Sequence, residues 1–175
     1  QPHFMLNRIF CALLAVALFA GPLASQQNSA YTTLLQDGPQ GTVIEFNFSD
    51  PEFTPVQTSE GEALVPHVLG DHSLLKAGSP DLSQVSATII IDSQSHTALE
   101  VLDVEFVEFQ DIDIAPSQGN LYRDVDPSTV PRLAAEVYAV DAFFPAVHAQ
   151  LNQPFIQRGM RGQTVRVFPF QYNPV

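Results

Sequence analysis

The feature that most constrains the fold is a two-residue alternation of apolar and polar side chains, which is first clear at Thr42. In the stretch TVIEFNFSD, Ile44, Phe46 and Phe48 share one face, while Glu45 and its neighbours lie on the other. This period is typical of a half-buried β-strand. The sequence therefore predicts a folded part that begins near Thr42 with a strand.

Further strand signals follow along the chain. QVSATIIID is rich in β-branched residues, and the turn DSQSH after it predicts a hairpin with the next strand. EALVPHVLG is a weaker candidate because Pro66 restricts it to an edge or a bulge. The terminal GQTVRVFPFQYNPV is a candidate strand with Arg166, Phe168, Phe170 and Tyr172 on one face.

The longest strand candidate is ALEVLDVEFVEFQDIDIAP. Val104 and Phe106 share one face, and then Val107 and Phe109 carry the apolar pattern on the other. A slip of one residue exchanges the two faces of a strand. The change of phase therefore predicts a β-bulge or a bend near residues 106–111.

Fourteen prolines and many short strands predict an all-β fold, an antiparallel β-sandwich of jelly-roll type with at most one short helix. RLAAEVYAVDAFFP is the only segment with some helical character, and its side chains suit a strand and a turn equally well, so its state stays open. The length of 175 residues and the hydrophobic fraction of 45% suit one folded domain.

The first 25 residues have the pattern of a secretory signal peptide with extraneous residues, QPHF, before Met5. Arg8 is followed by an apolar run, and the small residues Ala24 and Ser25 suit cleavage after either one. The run is shorter than the roughly 20 residues of a membrane span, so no membrane attachment is expected after cleavage.

Residues 26–41 are then expected to form a flexible leader, and residues 42–175 to form the β domain. The only cysteine, Cys11, lies before both segments. The mature chain therefore has no cysteine, which excludes disulfides, a cysteine nucleophile and thiolate metal sites from it.

Charge is distributed unevenly along a chain with a formal net charge of −12. Residues 26–122 hold Lys76 as their one base against fifteen acids, whereas residues 123–175 hold five arginines against four acids. Binding to nucleic acid is excluded as a function because it needs a basic surface that neutralises phosphates.

The residues alone show no catalytic constellation and predict no cofactor. The five histidines lack the spacing of a metal site, no G-x-S-x-G elbow occurs, and Gly119 and Gly162 are isolated rather than part of a phosphate-binding loop. Asp111 and Asp113 would share one solvent face of a strand, which does not favour calcium. No metal site is therefore predicted, and the chain itself is expected to bind or assist rather than catalyse.

Three stretches resemble a known family: FTPVQTSEGEALVP, DIDIAPSQGNLYRDVDPSTVP and DAFFPAVHAQLNQPFIQRGMRGQTVRVFPFQYNPV. They resemble the N-terminal propeptide of gingipain-type (family C25) cysteine endopeptidases, over residues 42–175. The resemblance implies an antiparallel β-sandwich that chaperones a cognate C25-type cysteine protease domain and keeps it latent. It also implies secretion through the type IX system, to the outside of the cell or its surface.

Arg123, in GNLYRDVDPSTVP, is by itself either a solvated loop arginine or a guanidinium offered to a partner. The resemblance places it where the family has a basic residue that enters the specificity pocket of Arg-specific members. It thereby implies a protease-inhibitory loop formed by Tyr122, Arg123 and Asp124, in which Pro127 and Pro131 stiffen the chain.

Arg158 and Arg161, in RGMRG, are expected to serve the fold, because family members of other specificity share an Arg-Gly pattern there. The chain stops at QYNPV, where the family's propeptides continue into further strands and the protease domain. A truncated precursor is therefore expected, with the catalytic residues in a part of the sequence that is not present.

Two other functions stay open at this point. The first is a free-standing secreted adhesion or carbohydrate-binding module, with an aromatic platform of Tyr122, Tyr138, Phe143 and Phe144. The second is a structural calcium-bound domain, which would use the carboxylates of Asp111, Asp113, Asp124 and Asp126.

Overall fold

The computed structural model describes residues 2–16, 31–38 and 41–175 of the chain. Short runs of β-branched and aromatic residues, separated by turns, form strands through most of this part. Twelve strands, numbered in chain order, lie in the described residues: β1 (His3–Val16), β2 (Thr32–Gly38), β3 (Gly41–Phe46), β4 (Glu52–Thr58), β5 (Gly61–His67), β6 (His72–Ser73), β7 (Ser83–Ile91), β8 (His96–Gln110), β9 (Ala149–Leu151), β10 (Phe155–Gln157), β11 (Met160–Val167) and β12 (Phe170–Asn173).

Helical structure in the described residues is limited to two short 3-10 helices, Pro127–Thr129 and Glu136–Ala139. The second lies within RLAAEVYAVDAFFP, so that segment forms a single tight helical turn. The all-β class is confirmed, with two 3-10 turns where at most one short helix was predicted. Among the residues described, no helix has the length and apolar character needed to cross a membrane.

The first sheet has five strands in the order β12-β1-β3-β2, with β8 paired to β1. One edge of β1 pairs with β8 along its whole length, residues 3–16. The other edge pairs with β12 at residues 3–6 and with β3 at residues 9–13. All these pairings are antiparallel, so β1 connects strands that otherwise do not touch through their backbones.

The second sheet also has five strands, in the order β10-β11-β7-β6, with β9 paired to β11. Strands β4 and β5 form a separate two-stranded sheet. Pro66 lies on β5 and pairs only with β4, which agrees with the edge position predicted for it.

The hairpin predicted from DSQSH is wrong, because β7 and β8 belong to different sheets. The turn instead carries the chain from the second sheet to the first. Arg161 stabilises it, since its Nη1 donates hydrogen bonds to the carbonyls of Asp92, Ser93 and Ser95 at 3.2, 2.9 and 2.8 Å. One guanidinium thereby donates to three backbone carbonyls that have no partner strand. This agrees with the expectation that Arg161 serves the fold.

The hydrophobic core lies between the two five-stranded sheets, and its largest fully buried side chains include Phe4, Phe46 and Phe170. The Phe4 ring stacks on Phe170 with 5.1 Å between ring centroids, and it meets Phe53 edge-on at 5.7 Å. Aromatic pairs in these geometries contribute about 0.5–1.5 kcal/mol beyond the burial of their area.

Strand β8 has its irregularity at Leu102, earlier than the predicted residues 106–111. The register with β1 passes from Val101 to Asp103 and leaves Leu102 unopposed, as in a β-bulge. The bend comes at the end of the strand, where Asp111 has a φ of 59°. Aspartate is one of the few residues that adopt this left-handed region readily.

The C-terminal strand predicted over GQTVRVFPFQYNPV is divided into two. Strand β11 ends before Pro169 and β12 begins after it, and the two strands lie in different sheets. Val165 and Val167 are fully buried, so the intervening Arg166 faces away from the core. Arg166 and Phe170 therefore do not share one face, because the chain changes sheets between them.

The N-terminal residues take part in the first sheet. The sequence predicts that residues 1–25 are an export signal with extraneous residues, yet residues 3–16 form β1 and the Phe4 side chain is fully buried. Residues 17–30 lie outside the described part of the chain. Removal of residues 1–25 stays a prediction about processing.

The segment expected to be a flexible leader, residues 26–41, is also partly strand. Thr32–Gly38 forms β2 and pairs with β3 in antiparallel register. Tyr31 and Leu34 pack against the hydrophobic core, which gives this segment a reason to be ordered. The folded part therefore begins earlier than Thr42.

We expect Phe170→Ala to lower the free energy of unfolding by about 3–5 kcal/mol, because the ring is fully buried and the truncation leaves a cavity. Phe106→Ala is the matched control, because 56% of this residue is exposed and its truncation should change stability by about 0.5 kcal/mol or less. Urea denaturation of the two variants measures both values. Equal losses would contradict the placement of the core.

Candidate functional site

The loop of residues 119–131 extends from an approach segment, residues 113–117, that is hydrogen-bonded along both edges. Leu64 of β5 forms two backbone hydrogen bonds with one edge, at 2.8 and 2.9 Å. Ser79 and Asp81 form two more with the other edge, both at 2.8 Å. The approach segment is therefore fixed before the loop begins.

Two residues set the shape of the loop at its start. The Gln118 side-chain Nε2 donates hydrogen bonds to the carbonyls of Pro127, at 2.7 Å, and Val130, and so crosses from the start of the loop to its end. Gly119 has a φ of 79°, and a Cβ there would lie 2.8 Å from the Cβ of Ala77. A glycine is therefore required where the chain turns away from the body.

The tip of the loop is a β-turn. The Val125 N–H donates to the Tyr122 carbonyl at 3.1 Å, which places Arg123 and Asp124 at the two central positions. Asp126 follows as the cap of the first 3-10 helix, and its Oδ1 accepts from the N–H and hydroxyl of Ser128 at 2.9 and 2.8 Å. These two hydrogen bonds hold the pKa of Asp126 below its ordinary value.

The end of the loop is fixed by an ion pair. The Arg132 Nη1 donates to Asp81 Oδ2 at 2.6 Å and to the Pro116 carbonyl at 2.8 Å. Only 16% of the Arg132 side chain and 11% of the Asp81 side chain are exposed. The residue that ends the loop is thus bonded to the approach segment from which the loop starts.

Tyr122, Arg123 and Asp124 lie together at the exposed tip, and Tyr122 is 82% exposed. In the described ranges 2–16, 31–38 and 41–175, the Arg123 guanidinium has no hydrogen bond or ion pair with another residue. Asp126, the acid that caps the first 3-10 helix, is hydrogen-bonded to Ser128 and not to Arg123.

Most other cations of the described part have partners within the fold. Arg132 and Arg161 are bonded as described above, Arg166 donates to Gln150 at 3.0 Å, and Lys76 lies over the Phe144 ring at 5.2 Å. These contacts use the positive charges to stabilise loops and strand ends.

Arg158 differs from the prediction made for it. It lies in the exposed turn between β10 and β11 with a φ of 51°, followed by Gly159 with a φ of 80°. Within the described residues its guanidinium has no bonded partner, so of these two arginines only Arg161 serves the fold through hydrogen bonds. Arg158 is therefore the natural comparison for Arg123.

Tyr138, on the second 3-10 helix, is hydrogen-bonded to the approach segment. Its hydroxyl donates to the Ile114 carbonyl at 2.8 Å, and burial raises its pKa well above the ordinary value. A cleft of about 500 Å³ lies beside it, lined by Glu60, Glu62 and Asp113 among others. The cleft is acidic, whereas the loop tip carries a positive charge.

The residues of the two other functions are not brought together. Tyr122 is exposed, but Tyr138 and Phe144 pack against the core, so the four aromatic residues form no common platform. In the described ranges no group of three or more acidic, histidine or cysteine residues is placed to hold a metal ion.

The sequence did not reveal the residues that shape the loop. Gln118, Asp81 and Arg132 are common polar residues, and their partners lie up to 51 positions away along the chain. The signal that was available is the pair of prolines, Pro127 and Pro131, within a loop rich in turn residues.

Comparison with known proteins agrees with the fold. Residues 24–175 match the family described as Propeptide_C25. The chain is 35% identical to gingipain R2 of Porphyromonas gingivalis over 166 residues, which is 95% of this chain and 22% of that protein. It is 34% identical to gingipain R1 of the same organism, over 97% of this chain and 18% of that protein.

The chain thus spans about a fifth of the length of these relatives. Among solved structures, the complex of Porphyromonas gingivalis RgpB pro- and mature domains matches with a TM-score of 0.80 and 34% identity, over 85% of this chain and 77% of that one. A structure described as an insight into zymogenic latency of gingipain K matches with a TM-score of 0.60 and 18% identity, over 93% and 92% of the two chains. The second likeness concerns the fold alone.

We expect Arg132→Ala to lower the free energy of unfolding by about 3 kcal/mol, because it leaves the largely buried Asp81 carboxylate without its partner. Arg123→Ala is the matched control and should change stability by about 0.5 kcal/mol or less, since the side chain is exposed. Thermal or urea denaturation of both variants checks this. A large loss in Arg123→Ala would show that its guanidinium is engaged within the fold.

The raised pKa of Tyr138 predicts a loss of stability at alkaline pH. The folded protein holds the phenolic proton more tightly than the unfolded chain does, so this contribution is complete below about pH 10 and is lost as the pH rises further. Tyr138→Phe should cost about 1 kcal/mol at neutral pH and make the decline above pH 10 shallower. Urea denaturation at a series of pH values measures this, and parallel curves for the two proteins would contradict it.

Proposed function

The chain belongs to the C25 propeptide family, and from this premise we propose that it inhibits a gingipain-type cysteine endopeptidase by placing Arg123 in the specificity pocket of that enzyme. The same domain acts as a chaperone for folding of the protease. The observation that carries the proposal is an exposed guanidinium without an internal partner, on a loop that is bonded at its start and its end.

The chemistry of the guanidinium suits this role. Arginine has a planar group that can donate two parallel hydrogen bonds to one carboxylate, and it stays charged at all physiological pH values. A pocket that selects arginine substrates needs such a carboxylate. Lysine carries a compact ammonium and fits this geometry less well, so the identity of the side chain at position 123 matters.

The loop also lowers the cost of binding. Gln118 ties the start of the loop to its end, and the turn from Tyr122 to Val125 is closed by its own hydrogen bond. A segment that is held in one conformation before it binds loses less conformational entropy in the complex. The loop therefore holds the Arg123 backbone in place before the enzyme is contacted, so binding does not have to order it.

The partner we propose is the cognate C25-type protease domain. One matching structure, with 34% identity, is described as a complex of pro- and mature domains. Because the chain spans 22% of gingipain R2, the protease activity would belong to the rest of the precursor and not to these residues.

Export is part of the same proposal. The apolar run before Ala24 has the pattern of a cleavable signal, and a signal would direct the precursor out of the cytoplasm, with type IX secretion to the surface. The excess of acids over bases, a formal net charge of −12, would keep such an exported domain in solution.

The test is inhibition of an Arg-specific gingipain-type protease by the purified chain and its variants. Arg123→Ala should raise the inhibition constant by about 30-fold or more, equivalent to roughly 2 kcal/mol for a central anchor. Arg123→Lys should lose part of the potency, because it keeps the charge without the planar fork.

Arg158→Ala is the matched control for this test. It removes another exposed guanidinium from a different turn and should leave the inhibition constant unchanged within about twofold. Equal potency of Arg123→Ala and the unaltered chain would contradict the pocket mechanism, and the chaperone role would then have to be tested by refolding of the protease.

A further inference from the structure

Strand β7 has one edge that is unpaired over most of its length. The other edge pairs with β11 from Val85 to Ile91. Along the unpaired edge, β6 contacts only Ser83 and Gln84. Within the described residues, no further backbone hydrogen bond reaches residues 85–91 from that side. About 23 Å of strand therefore keeps free backbone N–H and C=O groups along one edge.

This edge also lacks charged side chains. Among the strands described, β7 is the only one longer than four residues that contains no Asp, Glu, Lys or Arg. Natural edge strands commonly carry charges that oppose pairing with another chain. Strand β8, whose outer edge is also unpaired in the described part, carries four acids: Glu100, Asp103, Glu105 and Glu108. The edge of β7 has no such protection.

The absence of acids extends to the whole second sheet. Its five strands contain no Asp or Glu, although the chain has 19 of these residues and a formal net charge of −12. The described strands of the first sheet contain Asp37, Glu45 and the four acids of β8. Two copies of so acidic a chain repel each other least where acids are absent. A second copy can therefore approach β7 more easily than the edges of the first sheet.

The side chains of this edge are complementary to those of a second copy. Ile90 lies on the outer face and is 61% exposed, while Ala87 and Ile89 pack against the core but are only partly buried. Antiparallel pairing about a two-fold axis at Thr88 places Ala87 beside the partner's Ile89, and Ser86 beside the partner's Ile90. Each large side chain then meets a small one, and the open side of the core is covered.

We propose that the unpaired edge of β7, residues 85–91, is a self-association surface whose partner is a second copy of this chain. The two strands pair antiparallel about the two-fold axis, and the second sheets of the two copies join into one continuous sheet. Backbone hydrogen bonds hold the copies together. The loop of residues 119–131 takes no part, so this association does not rest on the proposed inhibition of a protease.

The lack of charge favours a second copy over an unrelated partner. A partner selected by charge would be recognised through the acidic strands of the first sheet. An uncharged edge selects by backbone hydrogen bonding and by the fit of side chains on both faces of the strand. An identical strand in antiparallel register meets both requirements.

The first experiment measures self-association of the full chain by sedimentation equilibrium. One strand pair is smaller than the interface of an obligate dimer, so we expect a dimer with a dissociation constant on the order of 100 µM. Ile90→Asp should raise this constant by about 10-fold or more, because it places a carboxylate at the paired edge of each copy.

Ile156→Asp is the matched control. It replaces another exposed isoleucine of the second sheet, on β10, and changes the net charge by the same amount. Its dissociation constant should stay within about twofold of that of the unaltered chain. Urea denaturation checks that both variants are folded. Equal weakening by the two variants, or a monomer up to about 1 mM, would overturn the proposal.

The second experiment locates the interface by amide hydrogen exchange at about 10 µM and about 500 µM, on either side of the expected dissociation constant. Residues 85–91 should gain protection at the higher concentration, and Ile90→Asp should abolish the gain. Protection that appears on β2 or β8 instead would assign the dimer to another edge. Residues 85–91 that are already protected in the monomer would show that the same chain covers them. Either result contradicts the proposal.

Discussion

The structure depends on the approach segment, residues 113–117, being hydrogen-bonded on both edges. Leu64 on one side and Ser79 with Asp81 on the other fix five consecutive residues between two parts of the fold. A loop that begins on so constrained a backbone has a defined direction. The largely buried pair of Arg132 and Asp81 then returns the end of the loop to the same place, so both ends of the loop are bonded to the body.

The environment of each arginine decides what its charge does. Arg132 and Arg161 are turned toward carboxylate or carbonyl oxygens, and their charges stabilise the fold. Arg123 is exposed, and Asp126, the acid that follows its turn, is hydrogen-bonded to Ser128. An acidic domain with a free guanidinium on a rigid loop is suited to recognise a negatively lined cavity. The same logic makes Arg158 a control, because within the described residues its exposed guanidinium also has no bonded partner, but it lies on a different turn, between β10 and β11.

The sequence predicted the all-β class and the strand around Phe46 because alternation and β-branched composition act over a few residues. It did not predict that β7 and β8 separate into two sheets, which depends on Arg161 reaching a turn some 66 to 69 positions away. The tip residues of the candidate site were predicted through resemblance to a family. Their bracing by Gln118 and Arg132 was not, because such pairings have no local pattern. The strand formed by β1 was hidden by its likeness to an export signal.

The most direct test of the account is the type of inhibition shown by the unaltered chain against an Arg-specific gingipain-type protease with a small arginine substrate. If Arg123 occupies the pocket that binds the substrate arginine, the chain must raise KM and leave kcat unchanged. Inhibition that lowers kcat at saturating substrate and leaves KM unchanged would mean that the domain acts elsewhere on the enzyme. That result would contradict the central claim.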